Sequence, residues 1–426
     1  MQPHPNPNGS FVRTASHTVW RGLPASLRRY ALAQATGWLA PKPAHRANVG
    51  VRVAPGIAVV GEFTRASGLG ESARLMADAA KRLGLPVWTI DLPPLADSRP
   101  EVAGVASAAL PPGVPLVLHV NGPMLPLALL RLPASVTRNR PIIGYWAWEM
   151  PEVPPEWRPA LACVSQVWVP SRFTAAALEP LLPGRVRIVP PPLGIVPPVA
   201  SAMDRAAFGL PLDAVVVLVS FNLASSFARK NPFAAIAAFR EAFGDRLDRI
   251  LVLKVSHPDH APADFVHLVQ MAQAPNIRLE TSVLPPDDRH ALTACADIVL
   301  SLHRGEGFGL VLAEAMLLGK PVIATAWSGN TDFMDRSNAA LAGYRLVPAR
   351  DDRSVYRGLW AEPDVAEAAC LLRTLADDPG LRRAMGEQAR ASTKARLDGH
   401  ELAAAVAGLA SPLGGHEHSA AATMLA

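Results

Sequence analysis

Cysteine is scarce in this chain: Cys163, Cys295 and Cys370 are the only three in 426 residues. They stand far apart, with neither a disulfide framework nor metal-ligand spacing. That excludes a stapled secreted scaffold and a zinc ribbon, and it favours a reducing compartment. Cys295 and Cys370 fall inside apolar helical patterns and read as core fillers. Long apolar runs are also missing. No stretch of about 18 residues is free of proline and charge, so no membrane-spanning helix is expected. Aromatics make up 6% of the chain. No basic stripe interleaves with them beyond the first residues, which argues against nucleic-acid binding. No Asp-x-Asp pair is present to hold a divalent cation.

What is there suits two domains of ordinary size. Half the residues are hydrophobic and 18% are charged, enough for two cores and too apolar for global disorder. The 42 prolines and 30 glycines punctuate periodic segments. The net charge of +5 fits phosphate-bearing partners or an arginine-rich composition without functional meaning. Charge alone leaves both open.

Residues 1–48 form a basic extension, with Arg21, Arg28, Arg29, Lys42 and Arg46 mixed among Trp20, Leu27, Tyr30, Leu32 and Trp38. A helix from Pro24 to Leu39 would suit an anionic bilayer surface, and a poorly ordered leader is the other reading. From Val51 short apolar strands alternate with amphipathic helices. Ile57–Val60 leads through a glycine-rich turn into a helix carrying Leu69, Ala73, Met76, Ala80 and Leu83 on one face. Further strands are expected at 86–90, 116–120, 142–146 and 167–170, the last followed by a helix capped by Ser171. The proline-rich run 189–198 is a stiff connector. Beyond it strands at 215–220, 250–255, 277–280, 298–302 and 322–325 alternate with helices. The organisation expected is a first doubly wound domain over 49–196 and a second over 197–376. Helices follow over 377–413, with packing back onto the first domain as one placement, and then a disordered tail, 414–426. Two such domains facing each other leave a cleft along the carboxyl ends of their strands.

The densest signal is Ser301-Leu-His-Arg-Gly-Glu306-Gly-Phe-Gly309-Leu-Val-Leu-Ala-Glu314. A strand ends, a glycine-rich turn follows and a helix begins near Leu310. Its free N–H groups make an anion site, and the glycines let backbone approach a ligand. Glu314 is flanked by apolar residues and needs donors; ribose hydroxyls would serve. A second segment, Ser220 to Pro232, follows the first strand of the second domain and carries Arg229 and Lys230.

The two glutamates around Gly-Phe-Gly, with Gly319-Lys-Pro-Val-Ile-Ala-Thr and Ser328-Gly-Asn330 behind them, resemble the signature of the retaining group 1 glycosyltransferases. The motif covers 297–334, with weaker similarity over about 57–350. The resemblance implies a GT-B architecture: α/β, with two doubly wound Rossmann-like domains facing a central cleft. It implies that Glu306 contacts the donor sugar and Glu314 the ribose. Gly307, Phe308, Gly309 and Leu310 would contact diphosphate or sugar, with Asn330 beside them. It also implies a basic pair that neutralises the departing diphosphate. Lys230 matches the family lysine, but Ser225 stands where the family has arginine, so Arg229 must substitute or the charge is missing.

On the first domain, Gly68 and Gly70 resemble the family's N-terminal glycine loop. His119 and Asn121 follow one strand and Glu149 another, so all three are candidates for the acceptor side or cleft wall. Trp146 and Trp148 suit either sugar stacking or ordinary packing. The function expected from the resemblance is metal-independent hexose transfer from a UDP- or GDP-sugar, a co-substrate, with no cofactor. The acceptor would be a polysaccharide or lipid-linked oligosaccharide in bacterial surface-glycan synthesis. The setting would be cytoplasmic, at the inner membrane face. A catalytically silent GT-B scaffold and a sugar-nucleotide epimerase are the alternatives.

Overall fold

The computed structural model describes residues 24–43, 53–65, 67–92, 109–351 and 355–410. Arg21 and Arg46 of the basic extension and the expected tail 414–426 lie outside the described residues. The described chain forms two six-stranded sheets and a two-stranded hairpin.

The first sheet has strands β1 (Ile57–Gly61), β2 (Val87–Asp91), β3 (Leu116–Leu118), β4 (Ile142–Tyr145), β5 (Gln166–Val169) and β6 (Val186–Ile188), in the order β2-β1-β3-β4-β5-β6. All pairings are parallel. Every residue of β1 is buried, as expected where helices cover both faces of a parallel sheet. The helix Gly68–Arg82 follows β1. Ser67 caps it by accepting from the Gly70 N–H, and it buries Ala73, Met76, Ala77 and Ala80. Ser171 caps the helix Arg172–Leu178 in the same way, through the Thr174 N–H.

The second sheet has strands β7 (Val215–Asn222), β8 (Arg249–Ser256), β9 (Ile277–Glu280), β10 (Ile298–Ser301), β11 (Val322–Thr325) and β12 (Ala340–Ala342), in the order β12-β11-β10-β7-β8-β9. It too is wholly parallel. Its chain order reverses between β7 and β10, and that of the first sheet between β1 and β3. Such switch points are where open α/β sheets leave a crevice at the carboxyl ends of their strands.

Two elements cross between the halves. The hairpin of β13 (Tyr344–Pro348) and β14 (Leu359–Pro363) pairs antiparallel and buries Trp360 in a cluster with Leu118, Ile142 and Trp146 of the first half. The helix Pro379–Arg396 lies along the helix Leu310–Leu317 of the second half. The helix His400–Ala410 then places Leu402, Ala405, Val406 and Leu409 in one cluster with Ile57, Val59 and Met76. At the crossing the Gly194 N–H donates to the Leu397 carbonyl at 2.7 Å.

Several elements had no sequence signal. Strands β6 and β12 are three residues long, too short for alternation, and β13 and β14 carry no period-2 pattern of burial either; the helix Val365–Asp377 matches the apolar helical pattern around Cys370. Cys370 sits on the outer face of that helix and is exposed, while Cys163 is buried. The core-filler reading therefore fails for Cys370. The helix Ala25–Leu39 packs Ala33 and Thr36 inward and leaves Trp38 83% exposed.

Candidate active site

A cleft of about 1330 Å³ lies between the two sheets, walled by the ends of β1, β3 and β4 on one side and of β7, β8 and β10 on the other. Of the residues singled out from the sequence, Gly68, Gly70, His119, Asn121, Glu149, Arg229, Lys230, Glu306, Gly307, Phe308, Gly309, Leu310 and Glu314 all line it. Asn330 does not. Its Nδ2 donates to the Thr325 carbonyl at 3.0 Å and its Oδ1 meets His303 Nε2 at 3.1 Å. It is fully buried, and these bonds tie the strand end at Thr325 to His303 at the start of the glycine-rich loop.

The centre of the cleft is an ion pair: Lys230 Nζ lies 2.5 Å from Glu306 Oε1. Lys230 follows β7 on the short helix Phe227–Lys230, and Glu306 follows β10. The switch point therefore brings them together. The Glu306 N–H donates to Ser328 Oγ at 2.8 Å, and the Glu306 carbonyl accepts from the Gly329 N–H at 2.9 Å. Burial works to raise the Glu306 carboxyl, but Lys230 and Arg229 outweigh it and hold the group at about 2. At neutral pH it is an anion that accepts hydrogen bonds and has no proton to give.

Arg229 is buried behind this pair. Its Nη1 donates to the Gly305 carbonyl at 2.6 Å, its Nη2 to Ser225 Oγ at 2.7 Å and its Nε to the Tyr356 hydroxyl at 3.2 Å. Glu149 from the first half lies 3.5 Å away and Glu306 3.3 Å away. The guanidinium thus reaches the side chain of Ser225, the residue that stands in the family arginine's place. Burial raises the Glu149 carboxyl against the pull of Arg229, and the Glu306 charge adds to the rise.

The helix Leu310–Leu317 starts at Gly309, whose φ of 99° suits glycine, and no side chain caps that end. Its first N–H groups face the cleft as an anion site. One turn in, Glu314 is buried and meets Arg289 at 3.6 Å and His290 Nε2 at 3.7 Å. Burial would raise its carboxyl, but the hydrogen bond and charge of His290 and the charge of Arg289 lower it. Lys254, at the end of β8, donates to the Ser282 carbonyl at 2.7 Å.

The first-half wall is less polar. His119 is 2% exposed, stacks on Tyr145 with ring centroids 4.4 Å apart, and sets Nε2 3.4 Å from Met76 Sδ. Burial lowers it to about 3, so the ring is neutral. Asn121 Oδ1 accepts from the Ala147 N–H at 2.9 Å. Gly70 sits tight against the loop before it: an added Cβ would lie 2.7 Å from the Glu62 carbonyl oxygen. Trp146 and Trp148 are buried edge-on against Trp157, which decides for packing over sugar stacking. The first half also clamps the glycine-rich loop, where Ser171 Oγ donates to the Gly307 carbonyl at 2.6 Å.

Sequence reasoning missed Tyr356, Lys254, Arg289 and His290. None lies in the motif segments, and only the order of the strands puts them beside it. Among the described residues, one set of three potential metal ligands comes together, Asp398, His400 and Glu401, at the exposed start of the last helix.

Comparison with known proteins matches residues 225–359 to the family model described as glycosyl transferases group 1. A D-inositol 3-phosphate glycosyltransferase of Kineococcus radiotolerans is 31% identical over 231 residues, covering 50% of this chain and 48% of that protein. One from Mycobacteroides abscessus is 34% identical over 153 residues, covering 34% of this chain and 33% of its own length. The chain thus spans about half or less of these curated relatives. Among solved structures, sucrose-phosphate synthase from Thermosynechococcus elongatus superposes with a TM-score of 0.59 at 17% identity, covering 84% of this chain and 98% of that one. Anabaena HepE, solved in complex with UDP and glucose, gives 0.57 at 15%, covering 84% and 99%. At such identities the likeness establishes the architecture alone. With two facing doubly wound sheets and these structural likenesses, the chain has the GT-B fold, and its motif-bearing residues 225–359 are similar to the group 1 glycosyltransferases.

Proposed function

We propose that this chain transfers a hexose, with retention, from a UDP- or GDP-sugar to a polysaccharide or lipid-linked oligosaccharide, without a metal ion. The observation that carries the reading is the Lys230–Glu306 pair beside an uncapped helix start, inside a cleft shared by both halves. Breaking the anomeric C–O bond leaves negative charge on the diphosphate. The Lys230 ammonium and the N–H groups at Leu310 are fixed where that charge grows, which lowers the barrier. The Glu306 carboxylate accepts hydrogen bonds from donor-sugar hydroxyls and keeps the ammonium in place. Glu314 receives the ribose hydroxyls.

A bacterial surface glycan as product and an anionic membrane face as setting complete the proposal. The helix Ala25–Leu39, with its exposed Trp38 and Leu39, supports the setting. The relatives named as D-inositol 3-phosphate glycosyltransferases add a phosphorylated cyclitol as a second acceptor class to test.

A thermal-shift panel of UDP, GDP, ADP and their sugars selects the donor. With it in hand, Lys230→Ala and Glu306→Gln are expected to cut turnover roughly a hundredfold or more, while Glu314→Ala weakens nucleotide binding. Full transfer activity in the first two variants would remove the assignment.

A further inference from the structure

The two arginines that the second half brings to this cleft, Arg229 and Arg289, are in opposite states. Arg229 is saturated. Its three nitrogens donate to Gly305, Ser225 and Tyr356, two carboxylates flank it, and its side chain is 3% exposed. Arg289, near the start of the helix Pro286–Cys295, has almost nothing. Its side chain is 30% exposed to the cleft, its nearest acceptors are Glu314 at 3.6 Å and His290 Nε2 at 3.4 Å, and its Nε is buried with no partner. A guanidinium carries five N–H donors, and a buried donor without an acceptor is costly. Lys254 lines the same end of the cleft, and its charge is opposed by burial and by Arg289. Arginine and histidine therefore share a single buried carboxylate, Glu314, while Lys254 lies between Arg289 and Glu280.

We propose that Arg289, and not Arg229, is the arginine that meets the nucleotide, holding the phosphate attached to the ribose. This assignment rests on the nucleotide-sugar reading above. A phosphate supplies the acceptors that Arg289 lacks and offsets its repulsion with Lys254. A planar guanidinium suits paired phosphate oxygens. The ribose then falls to Glu314, 3.6 Å from the same guanidinium, and the outer phosphate to Lys230 and the helix start. Arg229 becomes a positioning residue that fixes Gly305 and Glu306 from behind. The replacement of the family arginine by Ser225 is thereby answered from a different helix.

The test is titration calorimetry of uridine, UMP and UDP, with the guanosine series beside them, on the full-length wild type, Arg289→Gln and Arg289→Lys. The expected result is that Arg289→Gln weakens monophosphate and diphosphate binding roughly ten- to hundredfold. Nucleoside affinity should stay at the wild-type level, and Arg289→Lys should recover part of the loss. Equal weakening of nucleoside and nucleotide would overturn the phosphate assignment, and so would no weakening at all. A wild type that bound neither series would sink the nucleotide-sugar reading and this assignment with it, an outcome visible before any variant is measured.

Discussion

Glu314 and His290 form a pair that makes stability depend on pH in a defined window. For Glu314, burial raises the carboxyl but His290 and Arg289 outweigh it, so its folded value lies below the ordinary 4.5. Its contribution is present above that ordinary value and lost as pH falls through the folded one. For His290, burial lowers the ring but Glu314 outweighs it, so its folded value lies above the ordinary 6.5. That contribution is full below 6.5 and lost as pH rises through the folded value. The pair therefore stabilises most between 4.5 and 6.5. Urea midpoints of wild type and His290→Gln should differ most in that window and converge toward alkaline pH. A gap of constant size at every pH would show that the pairing does not bear on stability. Nothing in the sequence pairs these residues. Glu306, Glu314 and Lys230 were legible because each lies on a segment that leaves a strand directly into a glycine-rich turn or a short helix. Arg289 and His290 sit in a helix with no motif, and meet Glu314 only because of how the second sheet is wound.

At the level of elements, the glycine-rich loop is held on both sides. Ser328 and Gly329 bind it within the second half, and Ser171 reaches it from the first. Gly305 leaves no room for more, since an added Cβ would stand 2.5 Å from the Glu149 carbonyl oxygen. Gly305→Ala should therefore push the loop from its wall and strain the Arg229–Gly305 hydrogen bond. The expected cost is about 1–3 kcal/mol in denaturant unfolding, typical of overpacking, with transfer reduced and nucleotide affinity near wild type. An alanine variant as stable and active as wild type would refute the tight fit. The strands and helices that carry this loop were readable from their apolar periodicity. The hairpin of β13 and β14 was not, because the burial of Trp360 and the stacking of Tyr356 on Trp148 depend on the opposite half of the molecule.

At the scale of the whole molecule, the alternation of strands and helices around a proline-rich connector was enough to foresee two doubly wound sheets, though not which pieces cross between them. The helix Ala25–Leu39 packs against the helix Leu125–Arg131, which lends Leu127, Ala128 and Arg131 to the cleft wall. Its outer face shows Leu27, Trp38 and Leu39 at 49%, 83% and 59% exposure. Apolar side chains with Arg28 beside them suit the interfacial zone of an anionic bilayer. Flotation with anionic vesicles at low salt should carry the wild type upward, and Trp38→Ser with Leu39→Ser should abolish it. A wild type that stays at the bottom of the gradient would rule out membrane contact through this helix.

The return of the helix His400–Ala410 to the first sheet governs how the molecule is made. Val59 and Met76 share their core with Leu402 and Leu409, so synthesis must pass residue 409 before that face is covered. The first half to be synthesised is therefore the last to be finished. A nick in the connector after β6 would free neither half as an intact body, since the helix His400–Ala410 belongs to the core of the first sheet.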